Sequence, residues 1–107
     1  MTDIQQKSAA KKFAKIWAGR GDEKQETQVF WISLLQNVFG VEQPTNAIEF
    51  ELPVKLNHTS FIDGYIKETH VLIEQKGADV DLKKGYKQSD GSMLTPYGQA
   101  RRYAGYL

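Results

Sequence analysis

Two short runs rich in β-branched and aromatic residues constrain this chain more than any other feature. They cover residues 60–66 (SFIDGYI) and 70–76 (HVLIEQK), and a few polar residues separate them. Runs of this length and composition are typical of β-strands. A connection this short joins antiparallel strands, because parallel strands need a long crossover. We therefore predict an antiparallel hairpin, with Glu68 and Thr69 as its two-residue turn.

This turn determines which residues face each other across the hairpin. With Lys67 opposite His70, counting back along both strands places Asp63 opposite Glu74. Directly opposed residues share one face of a sheet, and Lys76 shares it because it lies two residues beyond Glu74. The other face is predicted to be a core face and carries Ile62, Ile66, Val71 and Ile73.

Apolar spacing before the hairpin predicts two helices. The first has Ser8 as a candidate N-cap and ends at Gly19 and Gly21. The second begins near Asp22 and stops at Gly40. Its apolar residues recur every three or four positions, which predicts a face that packs against the core. That face consists of Phe30, Trp31, Leu34, Leu35 and Val38.

Three further segments complete the predicted order of elements. Residues 48–52 alternate apolar and acidic side chains, which indicates a strand that ends at Pro53 or carries it on a sheet edge. Residues 77–95 are rich in Gly, Asp, Lys and Ser and are predicted to form a loop. Pro96 can open a last helix. We therefore expect an α+β domain with the order helix, helix, three strands, loop, helix.

Composition excludes several classes of protein. Cysteine is absent from the 107 residues, which excludes disulfides, thiolate metal sites and cysteine nucleophiles. Neither a signal-like segment nor an apolar run of membrane-spanning length is present, so we expect a cytoplasmic protein with no membrane partner. The net charge of +1 argues mildly against a dedicated nonspecific DNA-binding domain.

The shared face of the hairpin suggests a metal-dependent hydrolase. Two adjacent carboxylates repel each other and favour a cation between them. Asp63 and Glu74 offer the oxygen ligands that Mg²⁺ prefers while it keeps several waters. Lys76 adds a positive charge that can help to position or deprotonate an attacking water. From the hairpin alone, a nuclease site and an exposed salt bridge are equally well supported.

The predicted last helix adds a second signal. Gln99 and Tyr103 lie four residues apart and share a face, with Arg102 beside them. A Gln-x-x-x-Tyr pair after an acidic hairpin resembles the RecB-like branch of the PD-(D/E)XK nucleases. The resemblance implies that Gln99 supports the active site and that Tyr103 flanks DNA. The alternative is an amphipathic helix whose Tyr103, Tyr106 and Leu107 cover the sheet.

An acid from the preceding helix is a further candidate ligand. In PD-(D/E)XK nucleases such a residue often completes the metal site, and Glu23 and Glu26 stand at the start of the second predicted helix. The alternative explanation for either residue is that a helix N-terminus favours acidic side chains.

The chain as a whole resembles a narrower family. The stretches GDEKQETQVFWISLLQNVFGVE, FIDGYIKETHVLIEQKG and KQSDGSMLTPYGQARRY are similar to the N-terminal nuclease region of MmeI-like, Type IIG single-chain restriction–modification enzymes. The similarity covers nearly everything from about Phe13 onward. It implies a restriction-endonuclease-like PD-(D/E)XK core with helices flanking a small, mostly antiparallel sheet. An N-terminal helix over residues 1–21 would precede this core over residues 22–107.

The same resemblance implies the chemistry of the site. Asp63, Glu74 and Lys76 fall on the catalytic motif, and Gln99 falls on the helix behind it. Mg²⁺ would bind to Asp63, Glu74 and the backbone carbonyl of Gln75, whereas S-adenosylmethionine would bind only in a methyltransferase domain that this sequence lacks. The substrate would be double-stranded DNA. Its expected contacts are Tyr103, Arg102, Arg101, Lys83 and Lys84.

Two other functions stay open. One is a catalytically inactive DNA-binding or structural module of a DNA methyltransferase. The other is an unrelated interaction module, which predicts that Asp63 and Glu74 point to different faces. We also expect the chain to be an N-terminal piece of a larger protein that stops before the final strand of its fold. The exposed sheet edge would then favour a weak homodimer.

Overall fold

Helices precede and follow a small antiparallel sheet in this protein. The computed structural model describes residues 1–21, 23–55, 59–88 and 90–107, without the side chains at positions 23, 24 and 59. The elements in chain order are α1 (Asp3–Trp17), α2 (Glu23–Asn37), α3 (Pro44–Ala47), β1 (Glu49–Lys55), β2 (Thr59–Ile66), β3 (Val71–Ile73), β4 (Tyr86–Lys87), β5 (Met93–Leu94) and α4 (Pro96–Ala104). The α+β class and the order of the main elements agree with the prediction.

The hairpin register is the one predicted from the turn. Strand β2 lies between β1 and β3, and both pairings are antiparallel. In the β2–β3 ladder, Gly64 pairs with Ile73 and Ile66 pairs with Val71. Continuing this register by one residue places Asp63 opposite Glu74. The unrelated interaction module, which predicted these two acids on different faces, is therefore not supported.

Strand β3 is shorter than the predicted strand over residues 70–76. His70 belongs to the turn, with a φ of 56° and its amide donating to the Lys67 carbonyl at 3.3 Å. At the other end the ladder stops at Ile73, because the Gln75 amide donates to the Asp63 carboxylate at 2.7 Å. A side-chain acceptor thus takes the place of a strand carbonyl just where the predicted site begins.

Strand β1 continues through Pro53, which pairs with Phe61. Of the two alternatives for this proline, the position on an edge strand is confirmed. Proline is tolerated there because its missing N–H can face away from the neighbouring strand.

The predicted start of the first helix needs correction. Helix α1 begins at Asp3 and not after Ser8, because Thr2 and Gln5 form a capping box: the Thr2 hydroxyl accepts from the Gln5 amide at 3.1 Å, and the Gln5 side chain accepts from the Thr2 amide at 2.9 Å. Pro44 is the first residue of the short helix α3, which was not predicted from the sequence. The predicted start of α2 at Asp22 falls outside the described residues.

The predicted loop over residues 77–95 contains a second hairpin. Tyr86 pairs with Leu94, and Lys87 pairs with Met93. Each of these strands is two residues long. Two residues are too few to produce a detectable alternation, which is why the sequence pattern indicated only a loop.

The core lies around β2. Ile62 is completely buried and forms a cluster with Val54 and Tyr103. On the face of Ile62, a Cβ added at Gly64 would lie 3.2 Å from Cδ1 of Ile73 and 3.5 Å from Cδ1 of Ile48, so these side chains pack closely over the glycine. Val71, predicted to be on the core face, is 43% exposed, because it stands at the turn end of an edge strand.

An aromatic cluster joins α1 to α2. The ring of Phe30 lies 5.2 Å from those of Phe13 and Trp17 and 5.4 Å from that of Trp31, measured between centroids. These edge-to-face contacts place Trp31 at the end of the cluster nearest the sheet. Among the described residues, no helix is both long and apolar enough to cross a membrane.

Candidate active site

Asp63 stands in the middle of β2, on the face opposite to Ile62. Its Oδ2 accepts the hydrogen bond from the Gln75 amide at 2.7 Å, a length typical of a bond to a charged acceptor. This bond fixes both the carboxylate and the segment that follows β3. The predicted catalytic acid is therefore held in a defined position by the segment that follows β3.

Glu74 forms an ion pair with Lys76, and the strand register places Glu74 opposite Asp63. The Lys76 Nζ lies 3.0 Å from Oε1 of Glu74 and donates to Oε1 of Gln99 at 3.0 Å. The two side chains are only 19% and 7% exposed for Lys76 and Glu74, respectively, so this pair is better shielded from solvent than an ordinary surface salt bridge. The structure thus brings together three of the four predicted catalytic residues through Lys76.

Helix α4 contributes the support for Lys76. Thr95 caps the helix by accepting from the Gly98 amide at 3.1 Å, and Pro96 occupies its first turn. Gln99 follows in that turn, and its Nε2 donates to the Tyr103 hydroxyl at 3.3 Å. Because Tyr103 is part of the core, Gln99 links Lys76 to a rigid part of the fold.

Gln75 connects the site to α2 through its side chain. Its Oε1 accepts from the indole Nε1 of Trp31 at 2.9 Å, and its Nε2 donates to the Lys76 carbonyl at 3.1 Å. From the sequence, only the backbone carbonyl of Gln75 is predicted to belong to the site, as a metal ligand. A bond between residues 44 positions apart leaves no local signal, so Trp31 was assigned to the core alone.

A cavity of about 180 Å³ opens beside Gln75 and Lys76. Glu26 lies in its wall, 3.4 Å from Nε of Arg20, and the Arg20 guanidinium is stacked 3.7 Å above the Trp17 ring. The Oε2 of Glu26 is buried. Of the two predicted helix acids, Glu26 therefore faces the same cavity as the site, whereas the side chain of Glu23 lies outside the described residues.

A second cavity, of about 260 Å³, is also lined by Lys76. Its wall includes Gln99 of α4 and the aromatic ring of Tyr86 from β4. Lys87 contributes a second positive charge to this wall. Lys76 therefore lines both cavities.

The predicted metal ligands would be two carboxylates, from Asp63 and Glu74, and the backbone carbonyl of Gln75. Mg²⁺ is usually bound by one or two carboxylates together with several waters, so these residue types are of a kind that would suit it. Within the described ranges, three or more His, Asp or Glu side chains nowhere cluster closely enough to hold a metal ion. A closed, all-protein metal cage is thus absent from the described part of the chain.

The predicted DNA-contacting residues fall into two groups. Lys83, Lys84 and Arg101 are exposed. Tyr103 is only 8% exposed, and its burial agrees with the alternative in which α4 covers the sheet. Arg102 donates to Oδ2 of Asp90 and to the Ser92 hydroxyl, both at 3.1 Å, so it holds the β4–β5 connection against α4.

The same contacts change the acidity of Asp90. Hydrogen bonds from the Ser92 side chain and backbone, together with the nearby Arg102 charge, hold the pKa of the Asp90 carboxyl below its ordinary value. Asp90 is exposed at the surface, so this shift concerns a surface contact and not the buried site.

The fold and site together define a small α+β domain whose central hairpin carries a shielded acid–acid–lysine cluster supported by a glutamine from the last helix. The sequence profile of one family, described as MmeI, N-terminal domain, matches residues 8–106, and the chain belongs to this family. The match confirms the resemblance inferred from the sequence and associates the chain with MmeI-like restriction enzymes. No curated protein and no solved structure matches the chain.

Proposed function

We propose that this domain is the Mg²⁺-dependent endonuclease domain of an MmeI-like restriction–modification enzyme and that it hydrolyses phosphodiester bonds of double-stranded DNA. The proposal includes a PD-(D/E)XK core. The observation that carries it is the position of the Lys76 amine between two oxygens. Nζ of Lys76 lies 3.0 Å from Oε1 of Glu74 and 3.0 Å from Oε1 of Gln99, and the strand register places Glu74 opposite Asp63.

The polar groups of the site suit a phosphodiester substrate. An ammonium group has three N–H donors, and the contacts with Glu74 and Gln99 leave one for a phosphate oxygen. The contacts with Glu74 and Gln99 limit the positions of the flexible Lys76 side chain. Lys76 can therefore hold a proton close to the phosphate and stabilise the negative charge that develops there.

Mg²⁺ would bind at Asp63, Glu74 and the carbonyl of Gln75, with Glu26 as a further carboxylate facing the adjoining cavity. Bound there, the ion would lower the pKa of a coordinated water and stabilise charge on the phosphodiester. Asp63 already has one oxygen oriented by the Gln75 amide, so binding would require little reorganisation of this side chain.

A second candidate function is a DNA-binding or structural module without turnover. The burial of Tyr103 favours it, because the aromatic residue expected beside DNA belongs to the core. The shielded ion pair favours the nuclease, since a module that only binds DNA gains nothing from two carboxylates near phosphate groups.

Nicking of supercoiled plasmid by the purified chain tests the proposal. With Mn²⁺ or Mg²⁺ present, we expect slow nicking that EDTA stops and that Asp63→Asn reduces by at least two orders of magnitude, because the first metal ligand loses its charge. Glu68→Gln is the matched control, since Glu68 is an exposed acid in the hairpin turn. Nicking that survives in Asp63→Asn would exclude this site as its source.

A further inference from the structure

We infer that Trp31 is a positioning residue for the candidate active site. Its indole N–H donates to the Gln75 side chain. Gln75 in turn donates from its backbone amide to the Asp63 carboxylate and from its side chain to the backbone carbonyl of Lys76. The inference rests on the proposed function for the meaning of the site. The hydrogen-bond relay itself is a property of the chain alone.

The relay matters because Gln75 lies beyond the last ladder pair. Strand β3 ends at Ile73, so regular strand pairing does not hold residues 74–76 in the described structure. Their position depends on side-chain bonds: the Gln75 amide to Asp63 at 2.7 Å, and the Gln75 carboxamide to Trp31 at 2.9 Å. If the second bond is lost, the Gln75 side chain no longer ties this backbone to α2, and only the bonds to Asp63 and Gln99 remain.

Trp31 is well suited to this task because it is itself immobilised. It lies in the middle of α2, and its ring meets Phe30 edge to face at 5.4 Å. Phe30 in turn contacts Phe13 and Trp17 of α1. An indole carries one polar group on a rigid apolar body, so the donor can be placed accurately with little loss of conformational entropy.

Trp31→Phe removes the N–H donor and retains an aromatic ring beside Phe30. The matched control is Trp17→Phe, which removes an indole from the same cluster but leaves the bond to Gln75 in place. Three quantities are compared with those of the unsubstituted chain: the exchange rate of the Gln75 amide by NMR without metal, the Mn²⁺ affinity by calorimetry, and the melting temperature.

In Trp31→Phe we expect the Gln75 amide to exchange about fivefold faster, the factor that corresponds to a hydrogen bond of about 1 kcal/mol. Mn²⁺ affinity should fall on the order of tenfold, as is typical when a supporting contact of a metal ligand is removed. The melting temperature should stay within about 3 °C of that of Trp17→Phe, because both changes remove one indole from the same cluster. Trp17→Phe should leave the exchange rate unchanged.

Two results would overturn the inference: unchanged Gln75 exchange in Trp31→Phe, or equal acceleration in both variants, which would assign the effect to general packing of the aromatic cluster. The proposed function is judged separately. If the unsubstituted chain binds no Mn²⁺ while Trp31→Phe still accelerates exchange, the metal site is excluded and the relay from Trp31 to Gln75 is supported.

Discussion

Lys76 is held at its tip by oxygens from two different elements, Glu74 after β3 and Gln99 in α4. Both contacts are 3.0 Å long, and the side chains of Lys76 and Glu74 are largely buried. A lysine on an open surface samples many rotamers, whereas this one has lost most of that freedom in the folded protein. In the proposed nuclease that loss would favour catalysis, because a group that is already placed costs no further ordering when substrate arrives.

Lys76→Ala tests this arrangement. We expect nicking by the chain to be abolished and the free energy of unfolding to fall by about 1–3 kcal/mol, because the Glu74 carboxylate stays largely buried after losing its cation. Plasmid nicking and urea unfolding measure the two effects. Lys67→Ala, in the exposed hairpin turn, is the control and should change neither. Nicking at the normal rate by Lys76→Ala would remove this lysine from the mechanism.

At the scale of elements, α4 and the β4–β5 hairpin form a unit beside the site. Arg102 of α4 binds Asp90 and Ser92 in the connection between the two strands. Within that connection the Ser92 amide and hydroxyl both donate to Oδ1 of Asp90, at 2.9 and 2.6 Å. One carboxylate thus organises the turn and fastens it to the helix that supports Lys76.

The low pKa of Asp90 makes this contact dependent on pH. A carboxyl whose pKa is lower in the folded protein stabilises it above the unfolded-state pKa of about 4, and the contribution is lost as the pH falls through the folded-state value. We expect Asp90→Asn to lower the melting temperature at pH 7, and the difference from the unsubstituted chain to shrink below about pH 4. Thermal unfolding at pH 3 to 7 measures this, with Asp79→Asn at another exposed loop acid as the control. A difference that is constant with pH would contradict it.

Sequence patterns predicted the elements whose residues are close in the chain. The β2–β3 register followed from the turn length, which fixes every later pair and thereby placed Asp63 opposite Glu74. The end of β3 did not follow, because it depends on the Asp63 side chain competing for the Gln75 amide. The Trp31–Gln75 bond was equally hidden, since only tertiary packing of α2 brings these residues together.

At the scale of the whole molecule, positive charge is local. The net charge is +1 over 107 residues, so any attraction to DNA must come from particular surfaces. One such surface is the loop before β4. Its fold is defined by Asp81, whose amide donates to the Tyr86 hydroxyl at 3.1 Å and whose carboxylate accepts from the Lys83 amide at 2.9 Å.

This loop presents Lys83 and Lys84 close to the site. Both side chains are exposed, and Nζ of Lys84 lies 5.7 Å from the centre of the Tyr86 ring, which lines the second cavity together with Lys76. We expect these two lysines to contact phosphates of bound DNA. Each such contact releases counterions, which makes binding depend on salt with a slope of about 0.9 per phosphate contact.

The double variant Lys83→Ala/Lys84→Ala should therefore bind duplex DNA more weakly at low salt, with a salt slope reduced by about 1 to 2. The loss should be the same for unrelated sequences, because phosphate contacts carry no base information. Lys7→Ala/Lys11→Ala, on exposed positions of α1, removes the same charge and should leave the slope nearly unchanged. Fluorescence anisotropy at several salt concentrations measures both slopes. Equal reductions in the two double variants would show that DNA responds to net charge alone and that the loop before β4 is not a specific contact surface.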